Sequence, residues 1–168
     1  MTTATFFDSA DPRPLAWRST WASLGLLLLT SIHHAYGAWR YATPWRLHAA
    51  AVAVVVGAAI IASCAAFVAR RGRRFGALAL GVLTMLIVVV PIAGFGAFEG
   101  LYNHVLKNLL FFGGASPEVL GSLFPSPTYE MPNDVWFEIS GVLQAPVAVL
   151  AARAHWQLLR RAVPRLGR

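Results

Sequence analysis

His48–Ala69 reads HAAAVAVVVGAAIIASCAAFVA, an apolar run with no carboxylate, lysine or arginine. At about 1.5 Å per helical residue it can cross a hydrocarbon core roughly 30 Å thick. Three further runs flank it: Trp17–Tyr36, which contains LGLLLLTSI, then Phe75–Phe98 and Asp134–Ala154. Together they predict an all-α integral membrane protein, a four-helix transmembrane bundle.

Composition points the same way. The chain is 57% apolar and 12% charged, where soluble domains carry about 25% charged residues. Its net charge of +7 comes from arginine clusters beside the apolar runs, a pattern that reports topology and not a phosphate-binding surface. Nucleic acid is therefore excluded as a partner. The lipid bilayer is expected instead, with other membrane subunits or self-association as further partners. Cys64 is the only cysteine and lies inside an apolar run, so no internal disulfide or CxxC site is available.

Lysine and arginine counts set the orientation. Arg13, Arg18, Arg70, Arg71, Arg73, Arg74, Arg153, Arg160, Arg161, Arg165 and Arg168 fall on one side, and Arg40, Arg46 and Lys107 on the other. Spans 17–36, 48–69, 75–98 and 134–154, with both termini cytoplasmic in a bacterial cytoplasmic membrane, satisfy all of them. Residues 1–16 are a cytoplasmic lead-in, 17–155 the transmembrane domain, 99–133 an extracytoplasmic loop and 156–168 a basic tail at the membrane surface. The first run lacks an A-x-A cleavage site and reads as a retained anchor. Small residues four apart, Ala53/Gly57, Ala58/Ala62 and Ala62/Ala66, predict a central second helix. Pro91, close to Gly94 and Gly96, predicts a kink. The connector 113–133, with Pro117, Pro125, Pro127 and Pro132, reads as a lid.

This topology gathers ionisable residues at the extracytoplasmic face. His33 and His34 end the first span and His48 opens the second; these three are the candidate metal ligands. Glu99, His104, Lys107 and Glu138 are the candidate catalytic groups, and Tyr102, Asn103, Glu130 and Asp134 the candidate substrate-binding ones. Histidine and carboxylate are the usual ligands for zinc, iron, manganese or copper and the usual acid–base groups. An α-helical stripe puts Glu99, Asn103 and Lys107 together with His104 about 100° round. Neighbouring His33 and His34 differ by a similar angle, so one of them is expected to face inward. Asp134 and its neighbours are a candidate N-cap. Glu138 is costly in a membrane unless paired. Tyr36, Trp39, Tyr41 and Trp45 form an interfacial aromatic belt, and Gln144 is expected to satisfy a carbonyl freed by Pro146.

No local motif such as HExxH is present. The pattern suggests a His/carboxylate site that binds or acts on a lipid-like substrate under the 113–133 loop, with a divalent metal as a possible cofactor and haem a weaker candidate. The alternatives are a non-catalytic accessory subunit and a small proton-coupled transporter. The sequence leaves open whether the protein is an enzyme.

Overall fold

A computed structural model describes residues 11–71 and 73–163. Expectations for residues 1–10, for Gly72 and for 164–168 lie outside it. Helix α1 spans Pro12–Arg40. Asp11 caps it by accepting from the Arg13 N–H at 3.1 Å, and Pro12 supplies the fixed φ of a first turn. The lead-in expected up to residue 16 is thus helical from Pro12. At the other end Thr43 N–H donates to the Ala38 carbonyl at 3.0 Å and Ala42 N–H to that of Trp39 at 3.5 Å. This is a Schellman motif, with Ala42 at φ 52° in the left-handed position that glycine usually fills.

A 3₁₀ turn, Pro44–Arg46, leads into α2, Leu47–Arg70. Helix α3, Arg74–Ile87, runs on as a π-helix over Val88–Leu106 and ends as α4, Lys107–Phe112, one rod from Arg74 to Phe112. The expected kink at Pro91 becomes a change of winding. Proline cannot donate the α-type hydrogen bond, and the wider turn begins just before it. Helix α5, Pro117–Leu123, lies inside the expected loop and is capped by Ser116. Helix α6, Val135–Val142, is capped by Asp134, whose carboxylate accepts from Phe137 N–H at 3.0 Å. It continues into α7, Gln144–Ala162.

Among the described residues every regular element is helical, and three helices are long and apolar enough to cross a membrane: Pro44–Arg70, Arg74–Phe112 and Val135–Ala162. Helix α1 falls short of that measure because its buried face is polar: Ser19, Thr20, Ser23, Thr30, His33 and His34. It is nonetheless the central helix, packing on α2, on α7 and on the π segment. The expectation that α2 is central does not hold. Only the Ala53/Gly57 part of its small-residue pattern is buried, with a Gly57 Cβ position 3.2 Å from Leu24 of α1, while Ala58 and Ala62 face outward.

Glycines also set the crossing between the π segment and α7. A Cβ on Gly100 would lie 2.6 Å from the Ala145 nitrogen, and one on Gly96 would collide with Ala148. The basic tail differs from expectation too. α7 is continuous through Ala162, so 156–162 prolongs a core helix as an amphipathic end, with Leu158 buried and Trp156, Gln157, Arg160 and Arg161 exposed.

Candidate metal and acid–base centre

The centre forms where α1, the π segment and α6 meet. His104 of the π segment is fully buried, and its Nδ1 lies 2.9 Å from Glu138 Oε2 of α6. His33 of α1 is also fully buried, with Nδ1 2.9 Å from Ser140 Oγ. The Ser140 hydroxyl already donates to the Trp136 carbonyl at 2.7 Å, so at this contact it accepts from the His33 Nδ1–H. Glu138, as a carboxylate, likewise accepts from the His104 Nδ1–H. A neutral imidazole with Nδ1 protonated carries a lone pair on Nε2. Two such lone pairs face each other, the Nε2 atoms 3.2 Å apart.

Glu99 completes a triangle. Its Oε1 is 3.4 Å from His33 Nε2 and 3.5 Å from His104 Nε2. It is 3.7 Å from His34 Nε2 as well, yet it is buried and makes no hydrogen bond of good geometry. Three potential ligand atoms on three side chains therefore converge, and among the described residues Glu99 Oε1 has no hydrogen-bond partner. Unpaired buried acceptors are costly, and a cation at their centre removes that cost.

Outer partners fix the triangle. Glu138 holds His104 with one oxygen, and its Oε1 lies 3.4 Å from Lys107 Nζ. Lys107 is fully buried and also donates to the Glu130 carbonyl. Glu130 is anchored in turn by Arg46, at 3.4 Å. Arg46 is buried, 4.8 Å from the Trp45 ring centroid and 5.5 Å from that of Phe137. Phe137 stacks on His33 at 4.3 Å. Gly141 is required where it stands, because a Cβ there would overlap the His104 ring.

The π winding explains why these residues meet. In i→i+5 bonding, residues five apart fall near one another on the helix surface. Glu99 and His104 consequently share a face, instead of standing apart as the α-helical stripe implied. Asn103 and Lys107 are buried beside them, and Asn103 Oδ1 has no partner. The adjacent histidines also depart from expectation, since both point inward. His33 faces α6, while His34 packs against Phe95 at 6.3 Å and reaches the same Glu99 oxygen. Glu99 sits between the two ring directions, so both can approach it.

Other candidates stand outside. His48 is exposed, with Nδ1 against the Trp45 carbonyl, and does not join His33. Tyr102 donates to the Leu123 carbonyl at 2.7 Å and packs on Phe124 and Tyr129, pinning the loop. Asp134 is a cap that also holds Arg40 at 2.9 Å and accepts from the Tyr36 hydroxyl. The Phe137 N–H, then Arg40 and Tyr36, keep its carboxyl below the usual carboxylate range. In the aromatic belt, Trp39 and Trp45 are exposed, while the Tyr36 and Tyr41 hydroxyls bond Asp134 and Asn133. Gln144 accepts from Thr30 of α1 and does not serve the Pro146 region as expected.

Three features escaped sequence reasoning. Ser140 offered no signal. Arg46 could have been noticed from its aromatic neighbours Tyr41 and Trp45. The third is a second buried histidine network at the opposite end, where His155 lies 2.9 Å from Ser19 Oγ and 3.2 Å from Thr84 Oγ1.

No protein-family model matches the chain, and no curated protein or solved structure is significantly similar to it.

Proposed function

We propose that the chain is a four-helix transmembrane bundle, with both termini cytoplasmic, that holds a divalent transition metal on His33, His104 and Glu99 at its extracytoplasmic end. The observation that carries this reading is the donor triangle. Metal–nitrogen bonds of about 2.0–2.1 Å at tetrahedral angles separate the donors by roughly 3.3–3.4 Å. The three observed edges are 3.2, 3.4 and 3.5 Å. Each histidine has its second nitrogen bound by an outer partner, which selects the tautomer needed for ligation. Imidazole and carboxylate together suit zinc, with copper, iron or manganese as alternatives. His34 is the candidate for the fourth position, or water takes it; a water held there would be acidified toward neutral pH.

The substrate in this reading is membrane-partitioning. A cleft of about 390 Å³ opens beside Glu138, with walls from Phe112, Val135, Ile139 and Leu143 and a rim at Pro132 and Asp134. That volume is within the ordinary range for small-molecule sites. Glu138 and Asn108 line it, and Glu138 links it to His104 and to Lys107 behind. A haem forms no part of the proposal, because the His104 ring is enclosed by His33, Phe137 and the Gly141 backbone.

Cobalt substitution tests the geometry. Co²⁺ added to metal-free protein in detergent should give the intense visible absorption of a four-coordinate ion, and His104→Ala should abolish it. A weak six-coordinate spectrum, unchanged in His104→Ala, would refute the assignment.

A further inference from the structure

At the end opposite the metal centre, a cleft of about 890 Å³ separates α3 from α7. Its floor is apolar, formed by Phe67, Leu80, Met85 and Leu159. Thr84 also lines it, but turns its hydroxyl back to the Leu80 carbonyl at 2.8 Å. Its mouth is ringed by Arg71, Arg73, Arg74 and Arg161. Arg71 is committed to Asp11 at 2.9 Å, whereas Arg73, Arg74 and Arg161 have no acidic partner among the described residues. Cations without an acidic partner among the described residues, set above an apolar slot, complement one kind of molecule, an amphiphile with an anionic head.

We infer that this cleft is a binding site for an anionic phospholipid, with one acyl chain between α3 and α7 and the phosphate on Arg73, Arg74 and Arg161. The inference rests on the bundle lying in a membrane and is independent of the metal. Basic pockets between membrane helices suit anionic head groups, since arginine meets phosphate with paired hydrogen bonds. The apolar floor selects a lipid over free phosphate, which would gain nothing from it. Gly81 makes the slot testable, because it lines the cleft and a Cβ there would meet nothing within 4 Å. A larger side chain starts there from open space at the cleft wall, with no neighbour for its Cβ to displace.

The experiment uses purified full-length chain in detergent, titrated with phosphatidylglycerol, phosphatidylcholine or inorganic phosphate, with bound lipid read by native mass spectrometry and thermal stability in parallel. Phosphatidylglycerol should bind saturably and raise the melting temperature, and phosphatidylcholine and inorganic phosphate should do so far less. The triple variant Arg73→Gln/Arg74→Gln/Arg161→Gln should weaken phosphatidylglycerol by on the order of a hundredfold, from roughly fivefold per arginine. Gly81→Phe should lose it while keeping all its charges and its metal content. Equal binding of phosphatidylcholine, or a phosphate effect matching the lipid, would overturn the proposal. So would undiminished phosphatidylglycerol binding to Gly81→Phe, which means surface adsorption alone. Binding that appears only after removal of residues 164–168 would place the chain's own tail in the cleft and overturn it too.

Discussion

Each end of the bundle buries a histidine network, and the two differ in what surrounds the rings. At the end where α1, the π segment and α6 meet, His33, His34 and His104 share Glu99, and His104 also meets Glu138. At the arginine-rich end His155 meets, among the described residues, the hydroxyls of Ser19 and Thr84. Hydroxyls donate and accept, so a neutral imidazole is satisfied there, and the network ties α7 to α1 and α3 without leftover valence. Carboxylates only accept. With both Nδ1 atoms directed at outer partners, the two Nε2 atoms and Glu99 Oε1 face one another, the arrangement on which the proposed metal site rests. The chemistry of the neighbours, and not the presence of histidine, separates a brace from a site.

The largest expected effect belongs to the ion pair behind the outer network. Lys107→Ala leaves Glu138 buried without its cation, and loss of one partner of a buried pair costs about 3–5 kcal/mol. Thermal unfolding in detergent should show a large drop. A change no greater than that of a surface substitution would mean that Glu138 is less buried than described.

The brace should respond more weakly. His155→Leu removes a neutral partner of two hydroxyls, and an unsatisfied buried hydrogen-bonding group costs about 1–3 kcal/mol. Thr84 keeps its bond to Leu80, which places the effect toward the lower end. Metal content should be unchanged. Loss of metal from this variant would erase the distinction between the two ends.

A smaller effect of opposite sign is expected at the corner that delivers α1 to the site. Ala42 occupies a left-handed conformation, which disfavours a non-glycine residue by about 1–2 kcal/mol. Ala42→Gly should therefore stabilise by up to about 1 kcal/mol, after the added freedom of the unfolded chain is offset.

The smallest concerns pH. Asp134 is held below the usual carboxylate range by the Phe137 N–H and by Arg40 and Tyr36. Its stabilisation is fully present above the unfolded-state value of about 3.9 and is lost as pH falls through the lower folded-state value. Asp134→Asn keeps a good cap but removes the charge, so its acid unfolding curve should flatten below about pH 4 relative to wild type.

The fold's outline was legible because apolar run length is a direct reading of what can be buried or immersed in lipid. His48–Ala69 matches its helix, Leu47–Arg70, to one residue at each end, whereas the helix that begins at Arg74 beside Phe75 runs on past Phe98 to Phe112, so that 99–112, expected as part of a loop, is helical. The centrality of α1 was not legible. Ser19, Ser23 and Thr30 interrupt its hydropathy, and the bonds of Ser23 to the Ser19 carbonyl, Thr30 to Gln144 and Ser19 to His155 make that polarity compatible with burial. Glu99, His104 and Glu138 could be gathered on one face from topology. Their register could not, because a π winding around Pro91, Gly94, Gly96 and Gly100 leaves no hydrophobic period to read. The juxtaposition of Glu99 and His104 with His33, which leaves His48 outside, was not legible for the same reason.

Metal content of the purified protein tests the central claim most directly. The chain, purified without chelator and measured by inductively coupled plasma mass spectrometry, should carry close to one transition-metal ion per molecule. Glu99→Gln, nearly isosteric but without the charge, should lose it while remaining folded, and His48→Ala should retain it. A wild-type protein that remains metal-free after incubation with zinc, manganese, iron or copper ions would contradict the account, as would full occupancy in Glu99→Gln.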